Sequence, residues 1–162
     1  MSIHRLHQPR SRAVARSRRF VIVASQFNPT MTRTLARAAK QTLIHAGAAP
    51  SDIEVVWVAG AFELPVAAAR AVKAYPRPDA VIALGVLIRG ETAQYEVIAH
   101  AVAEGLMHVS VTSGIPVSFG VVVAETSAQA KARSGGRLGN RGAEAAEAAL
   151  SVLSASIGAK PS

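Results

Sequence analysis

The sequence predicts a doubly wound α/β fold of three layers, in which helices cover both faces of a four-stranded parallel sheet. Two observations lead to this prediction. Four short apolar runs alternate with segments whose apolar residues recur at helical spacing. The chain of 162 residues is also 50% hydrophobic, which suffices for one sizeable core. We therefore expect a single domain over residues 19–158, followed by a frayed C-terminus at 159–162.

Each predicted strand ends at a turn that opens the next helix. The second run, for example, is rich in β-branched residues, which favour sheets, and a proline-containing helix follows it. A glycine-rich loop separates the last two helices. The predicted strands are residues 20–24, 53–58, 80–88 and 117–124; the helices are about 30–46, 64–74, 92–109 and 126–133; the loop is 134–142, and the final helix runs to about residue 157.

Capping residues support these boundaries. Asn28 or Thr30 can cap the first helix, and Gly47 suits the position just after its C-terminus. Pro65 fits the first turn of the second helix. Thr126 begins a capping-box pattern at the start of the fourth helix.

The longest strand and the turn after it predict a binding site. The strand breaks at Arg89 and Gly90, and an amphipathic helix is predicted to start at Thr92. Free backbone N–H groups and the positive end of the helix dipole would then meet at the carboxyl end of a parallel strand, where small anions bind. The loops after the other strands would lie along the same edge of the sheet, at Phe27, at residues 61–63 and at Glu125.

Most of the net charge of +8 lies near the N-terminus. Residues 1–19 hold six arginines and no acid, whereas the rest of the chain has twelve basic and ten acidic residues. A basic tail on a nearly neutral body is typical of a flexible arm, so residues 1–18 are expected to be a disordered tail and no nucleic-acid partner is expected. The alternative is a tail that contacts RNA, an acidic cargo or a neighbouring subunit.

Several classes of site are not expected. The chain has no cysteine, which excludes disulfides, thiolate metal sites and a cysteine nucleophile. The five histidines show no metal-ligand spacing, and no Rossmann glycine pattern is present, so neither a metal nor a cofactor is expected. With no apolar run of membrane-spanning length and no signal peptide, no membrane partner is expected and the protein is predicted to be cytoplasmic.

Five sequence pieces at the predicted loops occur together. Gly-Ala-Phe-Glu-Leu-Pro at residues 60–65 and Ile-Arg-Gly-Glu-Thr at residues 88–92 are specific in combination. The others are Ser-Gln-Phe-Asn at 25–28, Pro-Val-Ser-Phe-Gly at 116–120, and Gln-Ala-Lys-Ala-Arg at 129–133 followed by Gly-Asn-Arg-Gly at 139–142. In this order and spacing, over roughly residues 19–157, they resemble the lumazine synthase family. The resemblance implies a flavodoxin-like three-layer α/β/α sandwich.

The resemblance also implies an activity. Members of this family condense 5-amino-6-(D-ribitylamino)uracil with 3,4-dihydroxy-2-butanone 4-phosphate to form 6,7-dimethyl-8-ribityllumazine, the penultimate step of riboflavin biosynthesis. The expected partners are these small-molecule substrates, other copies of the chain in a homopentamer or an icosahedral capsid of sixty subunits, and riboflavin synthase.

Roles for individual residues follow from the same resemblance. Phe27 would stack on the pyrimidine ring, Glu63 would contact the ribityl hydroxyls, and Arg133 would be the cationic partner of the phosphate. An adjacent subunit would supply Phe119 and Arg133. The implied pyrimidine-binding residues are Phe27, Ala61, Phe62, Glu63, Val86, Leu87, Ile88 and Phe119; the implied phosphate-binding residues are Glu91, Thr92 and Arg133. Without the resemblance, Phe62 and Ile88 would fit a core equally well, and Arg133 a solvated surface.

One position departs from the family pattern. The pattern has a histidine that shuttles protons where this chain has Gln94. Glutamine can donate and accept hydrogen bonds, but it does not titrate near neutral pH. Because one acid–base group typically contributes about 10² to 10⁴ in rate, its loss would slow the reaction without forbidding it. Gln94 and Arg133 are thus the candidate catalytic residues of a synthase whose activity could be reduced.

Two alternative functions stay open at this point. The first is a catalytically weakened family member that binds ligand or forms an encapsulating shell. The second is an unrelated flavodoxin-like module that binds another phosphate-bearing ligand. Turnover above the spontaneous rate would distinguish the synthase from the first alternative, and affinity for the ribitylamino-pyrimidinedione would distinguish it from the second.

Overall fold

The computed structural model describes residues 13–155, and it confirms the predicted fold class. Four parallel strands form one sheet with helices on both faces. The strands are β1 (Phe20–Ser25), β2 (Ile53–Val58), β3 (Ala80–Ile88) and β4 (Val117–Ala124). The helices are α1 (Pro29–His45), α2 (Leu64–Ala71), α3 (Gln94–Ser113), α4 (Ser127–Arg133) and α5 (Arg141–Ser154). The strand order is β2-β1-β3-β4, so β2 and β4 are the edges.

Alternate residues of β1 enter two different cores. Phe20 and Ile22 pack on the side covered by α1 and α5, together with Leu35. Val21 and Val23 pack on the other side, against α2 and α3. Because successive side chains of a strand point to opposite faces, a strand covered on both sides must be apolar throughout. This explains why β1 and β3 are continuous apolar runs in the sequence.

The predicted capping residues hold at three of four helix ends, and one of them is Pro65, which lies in the first turn of α2. Gly47 follows α1 with φ 106°, a left-handed conformation that glycine adopts without strain. The Thr126 hydroxyl accepts a hydrogen bond from the backbone N–H of Gln129 at 3.2 Å. The prediction for the start of α1 is half right: Asn28 is the N-cap residue, but its side chain makes no cap hydrogen bond. Its amide donates instead to the carbonyl oxygen of Val86.

Several helix boundaries differ from the prediction, and one of them is the end of α5, which lies at Ser154 rather than near residue 157. Helix α2 ends at Ala71, short of residue 74, because the N–H groups of Lys73 and Ala74 bond three residues back rather than four. Helix α3 begins at Gln94 and not at Thr92, since its first helical hydrogen bonds go to the carbonyl oxygen of Ala93. Helix α5 begins at Arg141, where the Asn140 side chain caps it.

Two further details were not predicted. The glycine-rich loop contains a short antiparallel pair, β5 (Ser134–Gly136) and β6 (Gly139–Asn140). Val97, an apolar residue of the predicted amphipathic helix, is 67% exposed, because the buried side of α3 is formed by Val102, Leu106 and Val109.

Part of the predicted basic tail contacts the domain. Ala15 is fully buried, and its backbone N–H donates to the carbonyl oxygen of Ala46 at 3.0 Å. Arg18 donates to the carbonyl oxygen of Leu153, near the end of α5. Residues 13–18 therefore lie against α1 and α5. Residues 1–12, and the predicted frayed end at 159–162, lie outside the described residues. Over residues 13–155, no helix combines the length and apolarity needed to cross a bilayer.

The contact between α1 and α5 predicts the effect of a small substitution. A Cβ added at Gly142 would overlap the backbone carbonyl group of Leu35, which cannot move aside as a flexible side chain would. We expect Gly142→Ala to lower the free energy of unfolding by about 1–3 kcal/mol in a denaturant titration. Gly90→Ala is the matched control, since no atom lies within 4 Å of its added Cβ. Equal effects at the two glycines would contradict this packing argument.

Candidate active site

A pocket of about 430 Å³ lies at the carboxyl end of the sheet. It lies where the loops after β1, β2 and β3 meet. The chain leaves β1 through α1 toward one edge strand and leaves β3 through α3 toward the other, so the connections diverge between these two central strands. Open α/β sheets bind ligands at such a switch point. The strand order therefore dictates where the pocket forms.

The pocket brings together most of the residues that the sequence predicted for the site. The predicted residues that line it are Phe27, Ala61, Phe62, Glu63, Val86, Leu87, Ile88, Thr92 and Gln94. Glu91, Phe119 and Arg133 are not part of its lining. Asn28, Gly60, Gly90 and Ile98 also line the pocket without having been predicted as site residues, and so does Tyr95, a candidate proton carrier from the sequence. The spacing of Ile98, one helical turn after Gln94, was the signal that could have identified it.

Two aromatic rings are exposed at the pocket. The exposed fractions of Phe27 and Phe62 are 70% and 62%. A core role for Phe62, which the sequence alone left open, is therefore wrong for this chain. Exposed phenylalanine side chains are costly unless something covers them, and their flat faces suit a planar heterocycle. Ile88 is half-buried and packs against the α1/α5 core, so it serves both the core and the pocket wall.

The loop that carries Phe27 is tied to both neighbouring strands. Asn28 has φ 56°, a left-handed conformation that asparagine tolerates better than most residues. Its Nδ2 donates to the carbonyl oxygen of Val86 in β3 at 3.1 Å. On the other side, the backbone N–H of Gln26 donates to the carbonyl oxygen of Val58 in β2 at 2.7 Å. The Phe27 ring is thus presented by a fixed turn.

Glu63 lies at the end of a short 3₁₀ turn, Ala61–Glu63, that follows β2. Its Oε2 accepts a hydrogen bond from the backbone N–H of Gly60 at 2.8 Å. One carboxylate oxygen is therefore occupied within the loop. Among the described residues Oε1 has no partner, which leaves one acceptor oxygen available at the pocket.

The turn between β3 and α3 leaves backbone donors unpaired. The N–H groups of Glu91, Thr92 and Ala93 donate to no acceptor in the described part of the chain. They precede a helix of 20 residues, whose N-terminus carries partial positive charge. This arrangement favours an anion. The nearby Arg89 lies 3.9 Å from Glu125, an exposed ion pair that contributes little stability.

Tyr95 adds a hydroxyl group to the pocket. Its Oη donates to Glu96 Oε1 at 3.0 Å. Loss of hydration around the phenol, followed by the hydrogen bond and the negative charge of Glu96, raises the pKa of Tyr95 above its usual value. The phenol is therefore neutral and holds its proton at physiological pH. Within residues 13–155, no three histidine, aspartate or glutamate side chains are grouped so as to hold a metal ion.

The whole-chain comparisons agree with this geometry. The family model described as 6,7-dimethyl-8-ribityllumazine synthase matches residues 17–156. The chain belongs to this family.

Curated relatives with that name cover most of the chain. The protein of Gemmatimonas aurantiaca is 47% identical over 136 residues, which are 84% of this chain and 82% of the relative. That of Stenotrophomonas maltophilia (strain R551-3) is 45% identical over 137 residues, 85% of this chain and 88% of the relative. A protein of Arabidopsis thaliana, named as the chloroplastic enzyme, is 41% identical over 84% of this chain and 60% of its own length.

Two of the residues that the lumazine synthase resemblance assigns to the site lie away from the pocket of their own chain. Phe119 is on the edge strand β4 and is 40% exposed. Arg133 is the last residue of α4 and is half-buried. Neither lines the pocket, so a single chain leaves it without these two side chains.

Gln94 occupies the position where the lumazine synthase pattern has histidine. It is the first residue of α3, it is exposed, and it lines the pocket. Its amide can donate to one substrate atom and accept from another, but it cannot exchange a proton near neutral pH. The pocket thus keeps a polar group at this point without a titrating one.

The role of Asn28 predicts an order of stability among variants. Asn28→Ala removes the hydrogen bond to Val86. It also leaves in the left-handed region an alanine, whose side chain cannot form a hydrogen bond. We expect it to lower the free energy of unfolding by about 1–3 kcal/mol. Asn28→Gly, the matched control, loses the bond but keeps the backbone conformation, so its loss is smaller. If alanine and glycine gave equal losses in denaturant titrations, the left-handed turn would not contribute.

Proposed function

We propose that the protein is a lumazine synthase that condenses 5-amino-6-(D-ribitylamino)uracil with 3,4-dihydroxy-2-butanone 4-phosphate to give 6,7-dimethyl-8-ribityllumazine. It thereby acts as a transferase in riboflavin biosynthesis. The main observation behind this proposal is that one pocket is lined by two exposed aromatic rings, a carboxylate oxygen and the start of α3. Family membership supports the same activity.

Each substrate has a complementary part of the pocket. The pyrimidine ring stacks on Phe27, and backbone groups of Val86, Leu87 and Ile88 bond its polar edge. The free Oε1 of Glu63 accepts from the ribityl hydroxyls. The phosphate of the ketone lies at the turn before α3, where the N–H groups of Glu91 and Thr92 have no other acceptor. The amine and the ketone are thereby held next to each other.

Holding the two substrates together accounts for much of the catalysis. The amine attacks the ketone, phosphate leaves, and ring closure with loss of water completes the bicyclic product. Positioning alone can supply about 7–11 kcal/mol of the barrier in well-oriented reactions. Because Gln94 lines the pocket as a donor and acceptor, it contributes to orientation. The reaction therefore proceeds without histidine at this position, but more slowly.

Turnover by the unchanged chain tests the proposal directly. We expect product formation above that of the uncatalysed mixture, and we expect Gln94→His to raise kcat by up to about 10²-fold, since it restores a titrating group. Gln41→His is the matched control, because Gln41 is exposed on α1 and does not line the pocket.

A different result would favour another function. If only Gln94→His turned over, the natural chain would be a ligand-binding or shell-forming protein with an intact pocket. If neither protein made product and neither bound the ribitylamino-pyrimidinedione in calorimetry, the synthase proposal would fail altogether.

We further propose that the active form is a ring of identical subunits, a pentamer that can assemble into a closed shell. Phe119 and Arg133 then complete the pocket of a neighbouring copy. Exposed apolar side chains support association: on α3 the exposed fractions of Val97, Met107 and Val111 are 67%, 64% and 73%. We also propose a cytoplasmic location and an association with riboflavin synthase. Cell fractionation tests the location, and co-purification tests the association.

Subunit mixing tests whether the pocket is shared. We expect Phe27→Ala and Arg133→Ala chains each to lose most activity as pure assemblies. When the two chains are unfolded, mixed equally and reassembled, about one quarter of the interfaces pair an intact Phe27 with an intact Arg133, so about a quarter of the activity should return. No recovery in mixed assemblies of native mass would show that each chain builds its site alone.

A further inference from the structure

We propose that Tyr95 and Glu96 form a proton relay that serves the condensation in place of a titrating group at position 94. The inference rests on the proposed synthase function and adds catalytic residues to it. Tyr95 Oη would contact the substrates, and Glu96 would accept the phenol proton and return it.

The relay has a defined geometry. Tyr95 lines the pocket directly after Gln94, in the first turn of α3. Its hydroxyl donates to Glu96 Oε1 at 3.0 Å. Tyr95 is half-buried, whereas Glu96 is exposed. The phenol therefore connects the pocket to a solvent-exposed carboxylate.

The hydrogen bond leaves the phenol oxygen ready to accept. A tyrosine hydroxyl has one proton to donate and two lone pairs. Here the proton is donated to Glu96, so the phenol oxygen of this pocket-lining residue keeps its lone pairs free to accept. The raised pKa of Tyr95 keeps the hydroxyl protonated at neutral pH, which is the state that a relay needs. His100 also lies on α3, but it does not line the pocket and is therefore not part of the relay.

The relay balances the first chemical step. As the amine nitrogen bonds the ketone carbon, the C=O π pair moves to oxygen, leaving a positive nitrogen and a negative oxygen. A proton then passes from the nitrogen to Tyr95 Oη while the phenol proton passes to Glu96 Oε1. The reverse transfer delivers a proton to the substrate oxygen. The product is a neutral carbinolamine, and both side chains return to their starting states.

The surrounding charges permit both protonation states. Besides Glu96, the charged groups that act on the Tyr95 phenol are Arg89, which lowers its pKa, and Glu125, which raises it. These two form their own exposed pair at 3.9 Å. Their effects therefore oppose each other, and neither is placed to take the proton from the phenol as Glu96 is.

Two substitutions separate the relay from a structural role. Tyr95→Phe keeps the ring and removes the hydroxyl, and Glu96→Gln keeps an acceptor for the hydroxyl but cannot take its proton. We expect each to lower kcat by about 10²-fold with little change in KM, as loss of an acid–base group does. Tyr75→Phe and Glu104→Gln are the matched controls: Tyr75 is 99% exposed, Glu104 is exposed on α3, and neither lines the pocket.

A double-mutant cycle supplies the decisive comparison. In the Gln94→His background a histidine can move the proton, so Tyr95→Phe should cost less than about threefold in kcat. The relay would be overturned if Tyr95→Phe lowered kcat equally in both backgrounds. It would also be overturned if Tyr95→Phe or Glu96→Gln, made in the unchanged chain, altered only KM or left kcat within about threefold. Assembly mass and binding of the ribitylamino-pyrimidinedione, measured for each variant, show that the chain is folded.

The relay and the synthase activity can fail separately. If the unchanged chain makes no product while Gln94→His does, the relay is wrong but the pocket is that of a synthase. If neither makes product, the proposed function fails, and the relay fails with it.

Discussion

Burial of β1 and β3 on both faces is the constraint on which the rest of the structure depends. All six residues of β1 and the first seven of β3 are buried, so most of their side chains pack in the two cores. The polar side chains that serve the site must then come from the loops at the strand ends or from a helix start, while the end of β3 offers its backbone groups. The carboxyl ends of the two strands meet where their connections diverge, and the pocket forms there.

The strands and the pocket residues could be predicted because local signals and tertiary burial agree there. The predicted bounds of β2, β3 and β4 match the structure, since each is a short segment rich in apolar and β-branched residues. The sequence pieces around Phe27, Phe62 and Thr92 come directly after β1, β2 and β3. Their positions at one edge of the sheet therefore result from the parallel topology.

The remaining details depend on contacts between distant segments. The Asn28 side chain makes no cap hydrogen bond; its Nδ2 instead donates to the carbonyl oxygen of Val86, 58 residues away. Nothing in the sequence around residue 28 indicates that Val86 is its partner. Similarly, Tyr95 and Glu96 are adjacent in the chain, but only the orientation of α3 against the pocket shows that one faces the ligand site while the other is exposed.

In the assembly that we propose, phosphate capture and subunit association are physically coupled. The donors that one chain offers to the phosphate are neutral backbone N–H groups, and Arg89, in the same turn, lies 3.9 Å from Glu125. A helix N-terminus alone holds a phosphate weakly in water, because its partial charge is screened by solvent and salt. A full positive charge must therefore come from outside the chain, and Arg133 of a neighbouring copy would supply it. On this argument a separated subunit keeps its aromatic platform for the pyrimidine but loses most of its affinity for the ketone phosphate, so the two substrates meet only where two subunits do.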